Sequence, residues 1–106
     1  MTNEHKEITL HCTFRNTEPT DALRSYAEEK VGNALSKFIH RAIDAHVILK
    51  VERNRQIAEL NFHVDGADFN ASQESDSMYS SIDQLIETIQ QQLRKHKGKM
   101  TEHHRA

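Results

Sequence analysis

The chain has 106 residues, 36% of them apolar, with three glycines, one proline, one cysteine and a formal net charge of -2. That length holds one compact domain with little room for a second core, and a mean hydropathy of -0.79 implies a thin core built from one face of each element. A large buried catalytic cavity, an internal disulfide and a repeat or loop-dominated architecture are disfavoured, and no apolar run approaches a signal core or a membrane span, so the cytoplasm is the expected compartment.

From Glu7 to Arg15 the pattern alternates strictly, with Ile8, Leu10, Cys12 and Phe14 on one side and Thr9, His11 and Thr13 on the other; this predicts a half-buried strand. After the turn-like Asn16-Thr17-Glu18-Pro19, Thr20 is placed as an N-cap, with Asp21 adding negative charge to the first turn. The helix that follows carries Leu23, Tyr26, Ala27, Val31, Ala34, Leu35 and Phe38 at spacings of three and four, with Gly32 a local weak point. Alternation returns from Ile43 to Arg53, where Ala45, Val47, Leu49 and Val51 face in. Asn54-Arg55 predicts a short reversal into a third strand, with Ala58, Leu60, Phe62 and Val64 inward and Ile57, Glu59, Asn61 and His63 outward. Asp65-Gly66 is a second turn signal, leading into a more polar fourth strand through Phe69 and Ala71. Ser75 or Asp76 then caps a long helix with the stripe Met78, Tyr79, Ile82, Leu85, Ile86, Ile89 and Leu93, ending near Lys97.

Strand, helix, three strands, helix makes an α+β two-layer sandwich. The first crossover is long enough to make strands one and two parallel, and its right-handedness puts the helix on one face of a four-stranded mixed sheet. Counting reversals, both helices run opposite to strands one, two and four, so they lie roughly parallel on the same face with their C-terminal ends at one edge. His11, His46, Lys50, Glu59 and His63 are left on the watered face.

Charge distribution is more informative than its total. Residues 1–93 carry nine Lys or Arg against fifteen Asp or Glu, whereas residues 94–106 carry five against one. Lys30, Lys37 and Arg41 fall in or beyond the later turns of the first helix, and Arg94, Lys95, Lys97 and Lys99 close the second. Cations at a helix C-terminus complement its dipole, each by about 0.3 to 1 kcal/mol. A run ending in Arg94, Lys95, Lys97, Lys99 and Arg105 exceeds that need, and a phosphate backbone is the commonest partner of such a patch. Arg53 and Arg55, in the hairpin turn at the opposite edge, read as ordinary loop charge.

The residues also carry a resemblance. Ile43-Asp44-Ala45-His46-Val47, Lys50-Val51-Glu52-Arg53 and Gln56-Ile57-Ala58-Glu59 are similar to the central hairpin of the ribosome hibernation-promoting factor and ribosome-associated inhibitor family. Thr20-Asp21-Ala22-Leu23-Arg24-Ser25-Tyr26 resembles the start of its first helix, Asp76-Ser77-Met78-Tyr79 with Ile82-Asp83 the start of its second, and Gln92-Leu93-Arg94-Lys95-His96-Lys97 its basic end. The order and spacing of these pieces cover about Ile8 to Lys97. The resemblance implies a β-α-β-β-β-α fold and binding in the decoding channel of the small ribosomal subunit. There the domain would block messenger and transfer RNA, inhibit translation and favour ribosome dimerisation in stationary phase beside a small modulation factor. Carried over by position, Arg24, Lys30, Lys37, Arg94, Lys95, Lys97 and Lys99 would contact ribosomal RNA. Thr88 and Gln91 stand where many relatives are basic, which thins the second-helix patch. A short-form, single-domain protein is implied, monomeric when free, with an ordered core over about residues 7–97 and a flexible basic tail over 98–106.

No other chemistry is indicated. Eight histidines, including His96, His103 and His104, lack zinc-finger spacing with the one cysteine, so neither metal nor cofactor is expected. Cys12 alternates with core residues and reads as a structural thiol; Asp83 and Glu87, one turn apart, read as a solvated pair. No phosphate loop or Ser/His/Asp pattern is present, so an enzyme is not expected. The alternative from a different class is a protein-interaction module using the polar sheet face or the edge of strand four.

Overall fold

The computed structural model describes the backbone over residues 8–105 and the side chains over residues 8–96. Six elements follow one another: β1 (Ile8–Arg15), α1 (Asp21–Ser36), β2 (Ile43–Glu52), β3 (Arg55–Val64), β4 (Ala67–Ser75) and α2 (Met78–Arg105). They form one sheet in the order β1-β2-β3-β4. β1 runs parallel to β2, in register from Ile8↔Ile43 to Arg15↔Lys50, and the other two pairings are antiparallel. The expected α+β sandwich with a mixed four-stranded sheet is the observed fold. α1 packs on β1, α2 on β3 and β4, and the helices pack on each other.

Local chemistry explains the boundaries. Thr20 caps α1 as its spacing predicts: its Oγ1 accepts from the Leu23 N–H at 3.1 Å, satisfying one of the orphan amides of the first turn. The helix closes at Ser36, where Leu35 O collects the N–H groups of Phe38 at 3.0 Å and Ile39 at 2.8 Å; Phe38 therefore lies beyond the helix. At α2 the cap is Ser77 and not Ser75 or Asp76. Ser77 O accepts from Ser81 N–H at 2.9 Å, and Ser77 Oγ lies 3.5 Å from Ser80 N. α2 continues to Arg105, past the end expected near Lys97.

Both hairpins turn on two residues in the left-handed region, the geometry whose twist matches paired strands. Asp65 at φ 55° and Gly66 at φ 77° join β3 to β4, using residues that tolerate that region. Between β2 and β3 the turn is Arg53 at φ 50° and Asn54 at φ 68°, one residue earlier than the Asn54-Arg55 reversal expected. Asparagine suits its place; an arginine there opposes its own Cβ, at roughly 1–2 kcal/mol.

Val31 and Leu35 of α1 and Ile82, Leu85 and Ile89 of α2 are fully buried over Val47, Leu49 and Leu60. Phe62 and Phe69, direct partners across β3 and β4, stack at 5.0 Å beneath α2, a cross-strand pair that adds to area burial. Tyr79, expected in the core, is 43% exposed. It meets Tyr26 edge-on at 4.8 Å where the helices touch. Ser81 is the buried polar residue of the core: its Oγ donates to Gln56 O at 2.6 Å and lies 2.8 Å from Ser75 Oγ, tying α2 to β3 and β4.

Replacing Ser81 with Ala strands the Gln56 carbonyl, and we expect a loss of about 1–3 kcal/mol in urea unfolding, while Ser80→Ala, on the exposed side, changes stability by less than about 0.5 kcal/mol. A second expectation concerns Tyr26, whose hydroxyl donates to Asp83 Oδ1 at 2.6 Å. That bond raises the phenol above its ordinary 10.0, so the bond is intact below pH 10.0 and lost as pH rises through the elevated value. With Tyr79→Phe leaving one phenol, phenolate absorbance should report ionisation above 10.0, and adding Asp83→Asn should bring it down.

Candidate nucleic-acid interface

Side-chain contacts fix the relative direction of the helices. Tyr26, early in α1, touches Tyr79 and Asp83, early in α2. One turn later Lys30 faces a groove lined by Asp83, Gln84, Glu87 and Gln90. The helices therefore run parallel, and both approach the β3–β4 turn. Phe38, Ile39, His40 and Arg41, just past α1, line a recess with Val64 and Asp65. Arg41 Nη1 is 3.0 Å from Asp65 Oδ1, and His96 Nε2, on α2, is 3.8 Å from Asp65 Oδ2. At that length it is not a hydrogen bond, and the buried Nε2 has no hydrogen-bond partner among the described residues; the His96 ring stands edge-on to Phe69 at 5.2 Å. The end of α1 thus approaches α2 at His96, well before α2 closes at Arg105, and the meeting point is a carboxylate.

The lysines and arginines divide by what holds them. Arg24 Nη1 donates to Cys12 O at 3.2 Å, with its guanidinium carbon 5.2 Å from the Phe14 ring centre, so it is strapped to β1. Its charge only partly offsets the burial that pushes the Cys12 thiol above 9.0, in keeping with a structural cysteine. Arg41 is held by Asp65. Lys50 lies 3.0 Å from Glu59 and 3.5 Å from Glu52; the bond to Glu59 raises its ammonium pKa despite an opposing desolvation. Arg55 is shared by Glu74 at 3.5 Å and Asp76 at 3.0 Å. Lys30 lies 5.4 Å over the Tyr26 ring, within cation–π range. Arg15, Lys37, Arg53, Arg94 and Lys95 are exposed and have no ion pair or hydrogen bond to a side chain among the described residues.

Measured against expectation, Lys37 stands free at the end of α1 and Arg94 and Lys95 stand free on α2, well before its end at Arg105, and Lys30 lies in the groove beside Asp83 and Glu87. Arg24 is committed to β1. The side chains of Lys97 and Lys99 lie outside the described residues, as does Ala106. Thr88, noted as neutral where a cation is usual, is engaged internally: its hydroxyl accepts from Gln73 Nε2 at 2.9 Å and donates to Gln84 O at 3.0 Å. Sequence reasoning missed Asp65 as the meeting point, because an Asp-Gly pair signals a turn without saying which helix ends it will face. The division into held and free cations was equally hidden, since it follows from strand register.

The opposite face of the sheet is polar. His11, His46, Asn61 and Asn70 form one row across all four strands, with the His11 and His46 rings stacked at 4.8 Å. His11 lies 3.3 Å from Asp44 and His63 2.6 Å from Asp68. No cluster of three or more metal-ligating side chains is present among the described residues, and no described helix is long and apolar enough to cross a membrane.

Comparison with known proteins identifies the family and the fold. Residues 10–101 match the family model described as "Sigma 54 modulation protein / S30EA ribosomal protein". The ribosome hibernation promoting factor of Klebsiella oxytoca is 40% identical over 94 residues, covering 89% of this chain and 98% of the relative. That of Azotobacter vinelandii is 42% identical over 83 residues, 78% of this chain and 77% of the relative. These relatives are not enzymes. Among solved structures, a ribosomal subunit interface protein from Coxiella burnetii superposes with a TM-score of 0.76 at 27% identity, covering 85% of this chain and 98% of that one. The N-terminal domain of Thermus thermophilus Protein Y, at 21% identity, shares the fold with a TM-score of 0.74. With a family match across most of its length and relatives at this identity, the chain belongs to the Sigma 54 modulation protein / S30EA ribosomal protein family.

Proposed function

We propose that this protein is a cytoplasmic ribosome hibernation factor that occupies the decoding region of the small ribosomal subunit. By filling that region it blocks messenger and transfer RNA and so inhibits translation, favouring ribosome dimerisation in stationary phase beside a small modulation factor. The observation that carries the reading is the trio Lys37, Arg94 and Lys95, exposed and without an internal ion pair among the described residues, the first closing α1 and the other two carried by the parallel α2. The C-terminal end of α1 contributes about half a negative charge beside Lys37, which holds that cation without neutralising it. Their contacts would be to ribosomal RNA phosphates, as the resemblance implies also for Arg24 and Lys30 of α1 and for Lys97 and Lys99. Phosphate contacts set position and carry no sequence information, so the shape of the folded RNA supplies selectivity. The names of the relatives, hibernation promoting factors, support the same role.

Sedimentation with purified small subunits tests it. Binding should fall at least ~10-fold as salt rises from about 50 to about 200 mM, and Lys37→Ala/Arg94→Ala/Lys95→Ala should weaken it and flatten the salt dependence by roughly two in log–log slope. An excess of A-form duplex RNA should compete poorly. If the triple variant sediments like the parent while His46→Ala/Asn61→Ala does not, the polar sheet face is the binding surface and the protein is an interaction module instead.

A further inference from the structure

We propose that Arg53, at the tip of the β2–β3 hairpin, is a second phosphate contact, gripping RNA at the end of the molecule opposite the Lys37, Arg94 and Lys95 rim. The inference rests on the ribosomal reading above and extends it to a residue that the helix patch does not include.

Three observations support it. The first is conformation: Arg53 sits at φ 50°, a region that glycine, asparagine and aspartate enter readily and an arginine does not. The other two-residue turn satisfies the same demand with Asp65 and Gly66, so only this turn carries a strained, long cationic side chain.

The second is the lack of any internal return. Arg53 is exposed and makes no ion pair, side-chain hydrogen bond or ring contact among the described residues. The carboxylates of the neighbouring strands are already matched, Glu52 and Glu59 by Lys50 and Glu74 and Asp76 by Arg55. The charge on Arg53 is therefore left over. Arg15, equally unmatched, ends β1 beside Lys50 and adds to the positive field at this end. Backbone strain kept without an internal benefit points to an external one.

The third is presentation. A two-residue turn between two ten-residue strands leaves no slack, so the guanidinium projects from a stiff stalk. Ten residues at about 3.3 Å each put it roughly 30 Å from the helix-end rim. One phosphate cannot bridge that span, whereas a folded RNA offers phosphates at both ends. A planar guanidinium suits phosphate oxygens better than an ammonium does.

Binding of the full chain to purified small subunits decides the matter, with Arg53→Asn and Arg53→Lys compared beside the triple rim variant. Arg53→Asn relieves the backbone, so its Tm should be equal or higher. Its affinity should nevertheless drop about 3- to 10-fold, with a log–log salt slope shallower by about one. Arg53→Lys, which keeps the charge, should bind within about 3-fold of the parent. If Arg53→Asn binds like the parent while the rim variant does not, the tip contact is overturned and the rim reading stands. If neither variant loses affinity, both are overturned.

Discussion

The constraint on which everything else depends is the parallel pairing of β1 with β2. Eight consecutive residue pairs from Ile8↔Ile43 to Arg15↔Lys50 require the chain to return along one face of the sheet between them, and right-handed crossover fixes which face. α1 must then run against both strands. Two tight hairpins follow, each reversing the chain once, so α2 leaves β4 in the direction α1 took. Parallel helices side by side bring their N-terminal dipole ends together, an arrangement that is unfavourable unless counter-charges attend it. Asp21 opens α1 at that end, and Lys37 closes α1 at the other while α2 runs on past Arg94 and Lys95. The buried leucines and isoleucines hold the layers together, but the strand pairing decides where the cations emerge.

Much of this architecture was legible in the sequence because it depends on short-range periodicity. Alternation around Val47 and Leu60, helical spacing from Ile82 to Leu93, Thr20 as a cap and Asp65-Gly66 as a turn all appear in the structure as read. The errors lie where two local signals compete. Asn54-Arg55 signals a reversal, but strand register pairs Arg55 with Glu52, which moves the turn onto Arg53. Ser75 looked like a cap, but it is drawn into the bond with Ser81, leaving Ser77 to end the amide ladder. Tyr79 followed the apolar stripe in spacing, yet it sits over the seam between helices, where Tyr26 covers only part of it.

The interface was less legible, for a physical reason. Whether a lysine or arginine is available to a partner depends on the carboxylate nearest in space, and such pairs are set by register and layer packing. Arg55 meets Glu74 and Asp76 from the adjoining strand and its exit, and Arg41 meets Asp65 from another hairpin. Counting charge along the chain could locate a basic end but could not separate the committed cations from the free ones. The resemblance names Arg24 with the rest, and periodicity does not show that its guanidinium reaches back to the Cys12 carbonyl and the Phe14 ring.

Free cations at opposite ends of the molecule have a consequence for how it approaches a partner. Arg15 and Arg53 lie at the far end of the sheet from Lys37, so a net charge of -2 conceals separate local positive fields. At physiological salt each reaches only about 8 Å into solvent, so a polyanion meets a weakly repelling whole until the surfaces nearly touch. Orientation is then selected in the last few ångströms of approach, and added salt erodes that selection first.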